Sequence, residues 1–187
     1  QWATNPAYRD IADSSTLLDA FASVEWAPPG LSMPLSFRLG YDFANASSRP
    51  YGLSNASLGL HHVEPSAVWT LGRGVDWNTH VRLGVGLDVG QWRLAPGRGD
   101  ALFGQAVGFG LAAAAGAELT PTPVTGPGVV FGAELGYRQS LGGLRFDDVR
   151  PDGYGTSDPA RIPTTGFSAG TVDPSGPALR FWLGLRL

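Results

Sequence analysis

The chain has no cysteine, and all 13 of its basic residues are arginine, so lysine is absent as well. The first absence excludes a disulfide framework, a Cys-ligated metal centre, a thiol nucleophile and a lipidated N-terminal Cys. It leaves the redox compartment open. Charge is scarce: 16% of the 187 residues are Asp, Glu, Lys or Arg, against roughly 25% in a soluble domain. The net charge of −3 gives nucleic acid no electrostatic footing as a partner. Long apolar runs are missing too. The best stretch, Ala101 to Ala117, carries no charge but falls short of the roughly 20 residues a spanning helix needs. Its glycines, Gly104, Gly108, Gly110 and Gly116, occupy even positions, while Phe103, Val107, Phe109 and Leu111 occupy odd ones. A period of two belongs to a strand, whose successive side chains point to opposite faces. The opening Gln1-Trp2-Ala3-Thr4 has no Met, basic n-region or apolar h-region and reads as a mature or trimmed form.

Glycine and proline are what the chain has in quantity, 27 and 15. Inside helices they cost about 0.5–1 and about 3 kcal/mol each, which excludes a helical bundle. The apolar residues alternate instead. Leu35, Phe37, Leu39, Tyr41 and Phe43 face away from Ser36, Arg38, Gly40, Asp42 and Ala44. Val81, Leu83, Val85, Leu87 and Val89 alternate with Arg82, Gly84, Gly86, Asp88 and Gly90. The same rhythm runs over 129–138 and 179–187. Weaker alternation covers 18–26, where helical spacing after Ser14-Ser15-Thr16 is a rival, and 54–62 and 67–71, with a tight connection expected at Pro65. With 103–119, the expectation is eight antiparallel strands. Up-and-down order puts the connections 92–102 and 140–177 at one end, and 46–53, 73–78 and 120–127 at the other.

Periodicity does not say which face is inside. The polar face of 103–119 reads Gly104, Ala106, Gly108, Gly110, Ala112, Ala114, Gly116, Glu118. It is too small and apolar for a solvent face, but it suits the lumen of an eight-stranded barrel, where small residues must oppose large ones. The charges on the polar faces nearly cancel: Asp19, Glu25, Asp42, Asp88, Glu118 and Glu134 against Arg38, Arg82, Arg138, Arg180 and Arg186. Buried charges need partners, so a salt-bridged interior is expected. The apolar face then points outward, with Trp26, Tyr41, Phe43, Trp69 and Tyr137 as candidates for interfacial girdles. A soluble carrier barrel would need the opposite arrangement.

On these residues the chain resembles the small eight-stranded outer-membrane β-barrels of Gram-negative bacteria, the OmpA/OmpX-like architecture. The resemblance covers about residues 14–187 and is most specific in the last strand, Leu179 to Leu187. There the outward Phe181, Leu183, Leu185 and Leu187 match the family's assembly signal, although the family usually ends in Phe. It implies an all-β, antiparallel up-and-down transmembrane barrel in the bacterial outer membrane. Further implications are periplasmic termini, short periplasmic turns and long outer loops. The implied partners are outer-membrane lipid and lipopolysaccharide, the outer-membrane insertion machinery and another envelope protein. Residues 1–13 are expected to be a tail or plug element, and 141–176 a long outer loop.

No catalytic, cofactor or metal residues are expected. His61-His62-Val63-Glu64-Pro65-Ser66 is the one cluster with the ingredients of a lipid A deacylase-type triad, yet adjacent histidines on a strand face opposite ways. Arg98-Gly99-Asp100 spells an adhesion tripeptide in a turn. Asp147, Asp148 and Asp152 offer too few oxygens for calcium. Asn45 and Asn55 open glycosylation sequons that read as chance matches. The expected function is a structural, binding or partner-anchoring barrel with a closed lumen. Its rim candidates are Arg145, Phe146, Asp147, Asp148, Arg150, Asp152, Tyr154 and Arg161, aromatics interleaved with both charge signs. A lipid-modifying barrel enzyme and a small-solute channel are the alternatives.

Overall fold

Every segment with two-residue alternation forms a strand. A computed structural model describes residues 16–30, 33–48, 54–96, 101–121, 128–151 and 168–186. The expectations for 1–13 and for Arg98-Gly99-Asp100 lie outside them. The strands are β1 (Thr16–Trp26), β2 (Leu35–Ser48), β3 (Ser54–Arg73), β4 (Trp77–Pro96), β5 (Leu102–Leu119), β6 (Gly128–Ser140), the short β7 (Leu144–Phe146), β8 (Arg150–Pro151) and β9 (Gly170–Val172), and β10 (Gly176–Arg186). The seven long strands form one antiparallel up-and-down sheet in chain order, and β7 pairs with β9 apart from it. The helical rival over 18–26 loses: β1 pairs with β2 without a break from Thr16↔Ser47 to Trp26↔Phe37. Among the described residues no helix is long and apolar enough to cross a membrane.

Among the described residues the long strands number seven rather than the expected eight, because Pro65 does not end a strand. Residues 54–73 are continuous, and Pro65 stays in register with Leu39 of β2. A proline lacks the N–H for one ladder only. The break falls on the other side, where pairing with β4 stops at Val63↔Leu87 and resumes at Ser66↔Gly84. Merging the two expected strands also moves one connection. Ser48 and Ser54 lie at the same end as Pro96, Leu102, Ser140 and Gly176, the rim end, so the connection expected over 46–53 belongs there and not opposite. The strand ends Trp26, Leu35, Arg73, Trp77, Leu119 and Gly128 share the other end.

The sheet is strongly curled, a half-barrel with a spiral stagger. From Arg180 the ladder runs through Glu134, Gly116, His80 and Thr70, and the Thr70 N–H donates to the Pro34 carbonyl. Yet the Arg180 guanidinium meets Asp42, eight residues beyond Pro34, at 2.5 Å. Eight residues at ~3.3 Å make ~26 Å of stagger. Spread over seven or eight strands ~4.8 Å apart, that tilts the strands by about 35–40°.

The face assignment follows the alternation. Leu83, Leu135, Leu183 and Phe181 are more than 60% exposed on the convex side, while Arg38, Arg82, Asp88 and Glu134 are at most 5% exposed on the concave side. Inward glycines make the room. A Cβ on Gly86 would run into the His62 ring, one on Gly84 into Glu64, and one on Gly132 into the Trp182 indole. Gly86→Ala is therefore expected to lower stability by about 1–3 kcal/mol through overpacking, read as a shift of the denaturant midpoint. An unchanged midpoint would mean that the His62 ring has somewhere else to go.

Candidate functional site: the filled concave face and its rim

Arg38, on β2, reaches three other strands. It donates to Glu25 of β1 at 2.7 and 3.0 Å, to Glu134 of β6 at 2.7 Å and to Glu118 of β5 at 3.3 Å. Its guanidinium also lies 5.3 Å from the ring centre of Trp182 on β10. Glu134 takes bonds from His80 at 2.8 Å and from Arg82 at 3.2 Å as well. Arg82 pairs in turn with Glu64. His62 sits between its cross-strand partner Asp88, at 2.9 Å, and Glu64, at 3.1 Å. Arg138 lies 3.6 Å from Asp88 and donates to the Pro174 carbonyl. All nine expected lumen charges with described side chains, from Glu25 to Arg180, thus face inward into partnered positions. The side chains of Asp19 and Arg186 lie outside the described residues. The space left among Glu64, Arg82, Glu134, Arg138 and Arg180 is a cavity of ≈ 20 Å³, room for about one water.

Sequence reasoning missed His62, Glu64 and His80 as network members, together with Ser36, which donates to Glu25, and Asn78, which donates to Glu118. Placing a connection at Pro65 hid the first two, whereas extending the alternation from Leu60 through His62, Glu64 and Ser66 would have found them. His80 already stood on the inward parity of its strand.

Towards the rim the concave face changes character. Gly142 and Gly143 take φ of +107° and +70°, left-handed values that glycine adopts without strain. They turn the chain back so that β7 drops inside the sheet. Leu144, Phe146 and Val149 become fully buried against Trp92 and Ala106, with Leu58, Leu60, Leu94 and Leu102 around them. Gly90, Gly104 and Gly108 leave space for exactly those side chains in the sense that a Cβ on each would press on Phe146, Val149 or Leu144. The connection 141–175 therefore begins as an apolar plug.

This corrects one rim candidate: Phe146 is 0% exposed and belongs to the plug, where it is inaccessible to a partner. Arg145 and Asp147 do stand outside, paired at 3.4 Å, as do Arg150 and Asp148 at 2.5 Å. Asp152, Tyr154 and Arg161 lie outside the described residues. Near the end of this connection the Ser175 N–H and hydroxyl both donate to Asp173, which holds that exposed carboxyl below its usual pKa.

The candidate triad is not assembled. His61 faces outward and shares a hydrogen bond of 2.7 Å with the Tyr41 hydroxyl. His62, Glu64 and Ser66 face inward, and the Ser66 hydroxyl donates to the Arg38 carbonyl. Asn45 and Asn55 sit within β2 and β3. Among the described residues no group of three His, Cys, Asp or Glu could hold a metal ion. The chain matches no family model, no curated protein and no solved structure.

Glu134→Leu would leave Arg38 and Arg82 short of their shared carboxylate, at an expected cost of about 3–5 kcal/mol. Phe146→Ala should cost about 3–5 kcal/mol by emptying the plug. Denaturant unfolding of each variant checks both. Neutral outcomes would mean that neither layer supports the fold.

Proposed function

We propose that the chain forms the barrel of a bacterial outer-membrane protein, eight-stranded when closed, with a blocked lumen. In this reading it serves as a structural, binding or partner-anchoring protein through its rim. One observation carries it: the polarity of the two faces inverts partway along the wall. Below the inversion the outer face is apolar, as in Trp77 to Val89 on β4, Val107 to Leu119 on β5 and Val129 to Tyr137 on β6, and the inner face holds the charges. The outer belt ends at polar residues on five successive strands, at Asn45, His61, Gln91, Gln105 and Gln139. Beyond it the inner face is apolar, with Leu58, Trp92, Leu94 and Leu102. The outer face there carries Asn55, Ser57 and Arg93. A wall standing in one solvent has no reason to reverse. A wall that leaves lipid for water does.

The belt is nine to thirteen residues long on these strands, roughly 20–35 Å at the tilt derived above, which brackets the ~25 Å apolar band of outer-membrane barrels. Trp26, Trp69 and Trp77 lie on its outer face near the turn end, as an interfacial girdle would. Lipid and lipopolysaccharide then contact the belt, and the insertion machinery is the expected assembly partner. The filled lumen speaks against the small-solute channel, and the unassembled His61–Ser66 cluster gives the lipid-modifying enzyme no support.

The test of the setting is a charge scan. Leu83→Arg and Leu135→Arg should each cost about 2–4 kcal/mol in lipid, and Gln105→Arg, at the belt's edge, about 0–1 kcal/mol. The unmodified protein should require detergent and migrate differently on a denaturing gel before and after boiling. Solubility without detergent, with Leu83→Arg neutral, would reverse the assignment.

The test of the rim is separate. Combined Arg145→Ala, Asp147→Ala and Asp148→Ala changes touch only exposed side chains and should alter stability within about 0.5 kcal/mol. They should abolish binding of whatever envelope protein co-purifies in mild detergent. Retained binding would move the function away from this rim.

A further inference from the structure

His62 has a partner at each ring nitrogen, and both partners are carboxylates. Nδ1 lies 2.9 Å from Asp88 and Nε2 lies 3.1 Å from Glu64. All three side chains are at most 4% exposed, and the ring is seated tightly over Gly86. A carboxylate only accepts. A neutral imidazole has one N–H and one lone pair, so it serves one of the two acids, whereas an imidazolium donates to both. The charge balance points the same way. Among the described side chains the concave face holds six carboxylates, Glu25, Asp42, Glu64, Asp88, Glu118 and Glu134, against four guanidiniums, Arg38, Arg82, Arg138 and Arg180. Six against four leaves two acids over, and two histidines, His62 and His80, face inward among them. Buried charge needs counter-charge. The groups around His62 are Glu64 from its own strand, Asp88 and Arg82 from β4, Asp42 from β2, Arg138 from β6, and Arg180 of β10 through its bond to Asp42. At this level β5 and β7 bring only Gly108, Gly110 and Leu144.

We propose that His62 is held as an imidazolium between Asp88 and Glu64, and that its proton is a switch setting how firmly the rim connection is anchored at Pro174. Asp88 is where the two meet. Its Oδ1 takes the His62 bond and lies 3.6 Å from Arg138, and Arg138 donates through Nε and Nη2 to the Pro174 carbonyl. With the proton in place Asp88 has its donor, and Arg138 is left to hold Pro174. Without it, a lone pair of the neutral ring faces one of the two acids. Arg82 is already against Glu64 and bonded to Glu134, so it has no further compensation to give. Arg138 has a gap to close. It is drawn onto Asp88 and lets the Pro174 carbonyl go. The folded chain thus binds a proton that the unfolded chain gives up above neutrality, so stability falls as the medium is made alkaline. The donor count and the charge balance stand on the concave face alone. Only the consequence for a rim partner rests on the function proposed above, as a regulation of that same rim.

The test reads the ring and the rim separately, in the full chain. Nitrogen NMR of isotope-labelled histidine should show protons on both ring nitrogens of His62 near neutral pH, and the denaturant midpoint should fall as the medium is made alkaline. The chain has no cysteine, so a spin label at Thr171→Cys, on the exposed side of β9, reports the rim alone. Its mobility should rise over the same pH interval in which His62 loses its proton. Glu64→Gln removes the need for that proton, because the amide can donate to Nε2 while the Nδ1 proton stays on Asp88. In this variant His62 should be neutral, and both the midpoint and the label should lose their response to pH. Asp88→Asn makes the ring neutral in the same way if Glu64→Gln does not fold. A bare ring nitrogen on His62 near neutral pH, in the folded unmodified protein, would overturn the proposal. So would a label that ignores pH while His62 titrates, or one that responds alike in Glu64→Gln. Solubility without detergent would discard the lipid setting, and a doubly protonated His62 with a responsive label in that sample would still support the switch.

Discussion

Arg38 must reach Glu134 across the concave face, and much of the architecture depends on that reach. A guanidinium only 5% exposed is tolerable when carboxylates surround it, and three strands supply them. This fixes the curl, because Glu25, Glu118 and Glu134 can converge on one side chain only in a tightly wound sheet. It also fixes the register. A slip of one residue would turn Arg38 and Arg82 outward and bring Phe37 and Leu83 in, reversing both faces at once. Hydrophobic burial does not hold the wall in the usual sense, since most of its large apolar side chains, Trp92 and Trp182 apart, point away from the protein. Pairing of charge inside and close fit of glycine against ring take over that role.

The inner face is built in two layers from one device. Several large inward side chains face glycine on another strand: His62 faces Gly86, Trp182 faces Gly132, and Phe146 faces Gly90. In the lower layer the large partners are His62 and Trp182, set among the charges, and in the upper one they are apolar. The change of layer coincides with the end of the outer apolar belt. β3 and β4 thus obey one pattern below His61 and Gln91 and the reverse above, whereas β5 keeps the outward Phe103 beyond Gln105.

Much of this was legible in the sequence because period two survives unbroken over long stretches. The even-numbered glycines of β5 and the arginines alternating with Phe37, Leu83 and Phe181 determine both strand and face. Pro65 was misleading because proline usually ends a strand. Here its missing donor falls on one ladder, and β2 continues to pair with it. That single residue hid His62 and Glu64, raised the expected number of strands and put the connection expected over 46–53 at the wrong end. Phe146 was misread for a different reason. Periodicity says nothing of a three-residue strand inside a long connection, and an aromatic among charges looks like a binding surface. The signal was present elsewhere, in Gly142-Gly143 and in the glycines opposite the plug, but only contact in three dimensions links them.

The plug also constrains where recognition can reside. β7 obeys the same alternation as the wall: Leu144 and Phe146 point in, and Arg145 points out. The inner side of this connection is committed to packing against Trp92 and Ala106, so it cannot change without loosening the upper layer. Below it, the concave face is occupied by paired charges, Arg38 and Arg82 with Glu134 and His62 with Asp88 among them. The convex belt offers only hydrocarbon. Polar, exposed and unconstrained by packing are the outward residues of β7 and its flanks, with Arg145, Asp147 and Asp148 held on a rigid base. A binding surface needs that combination of free side chains on a fixed backbone, and the plug provides the fixed backbone.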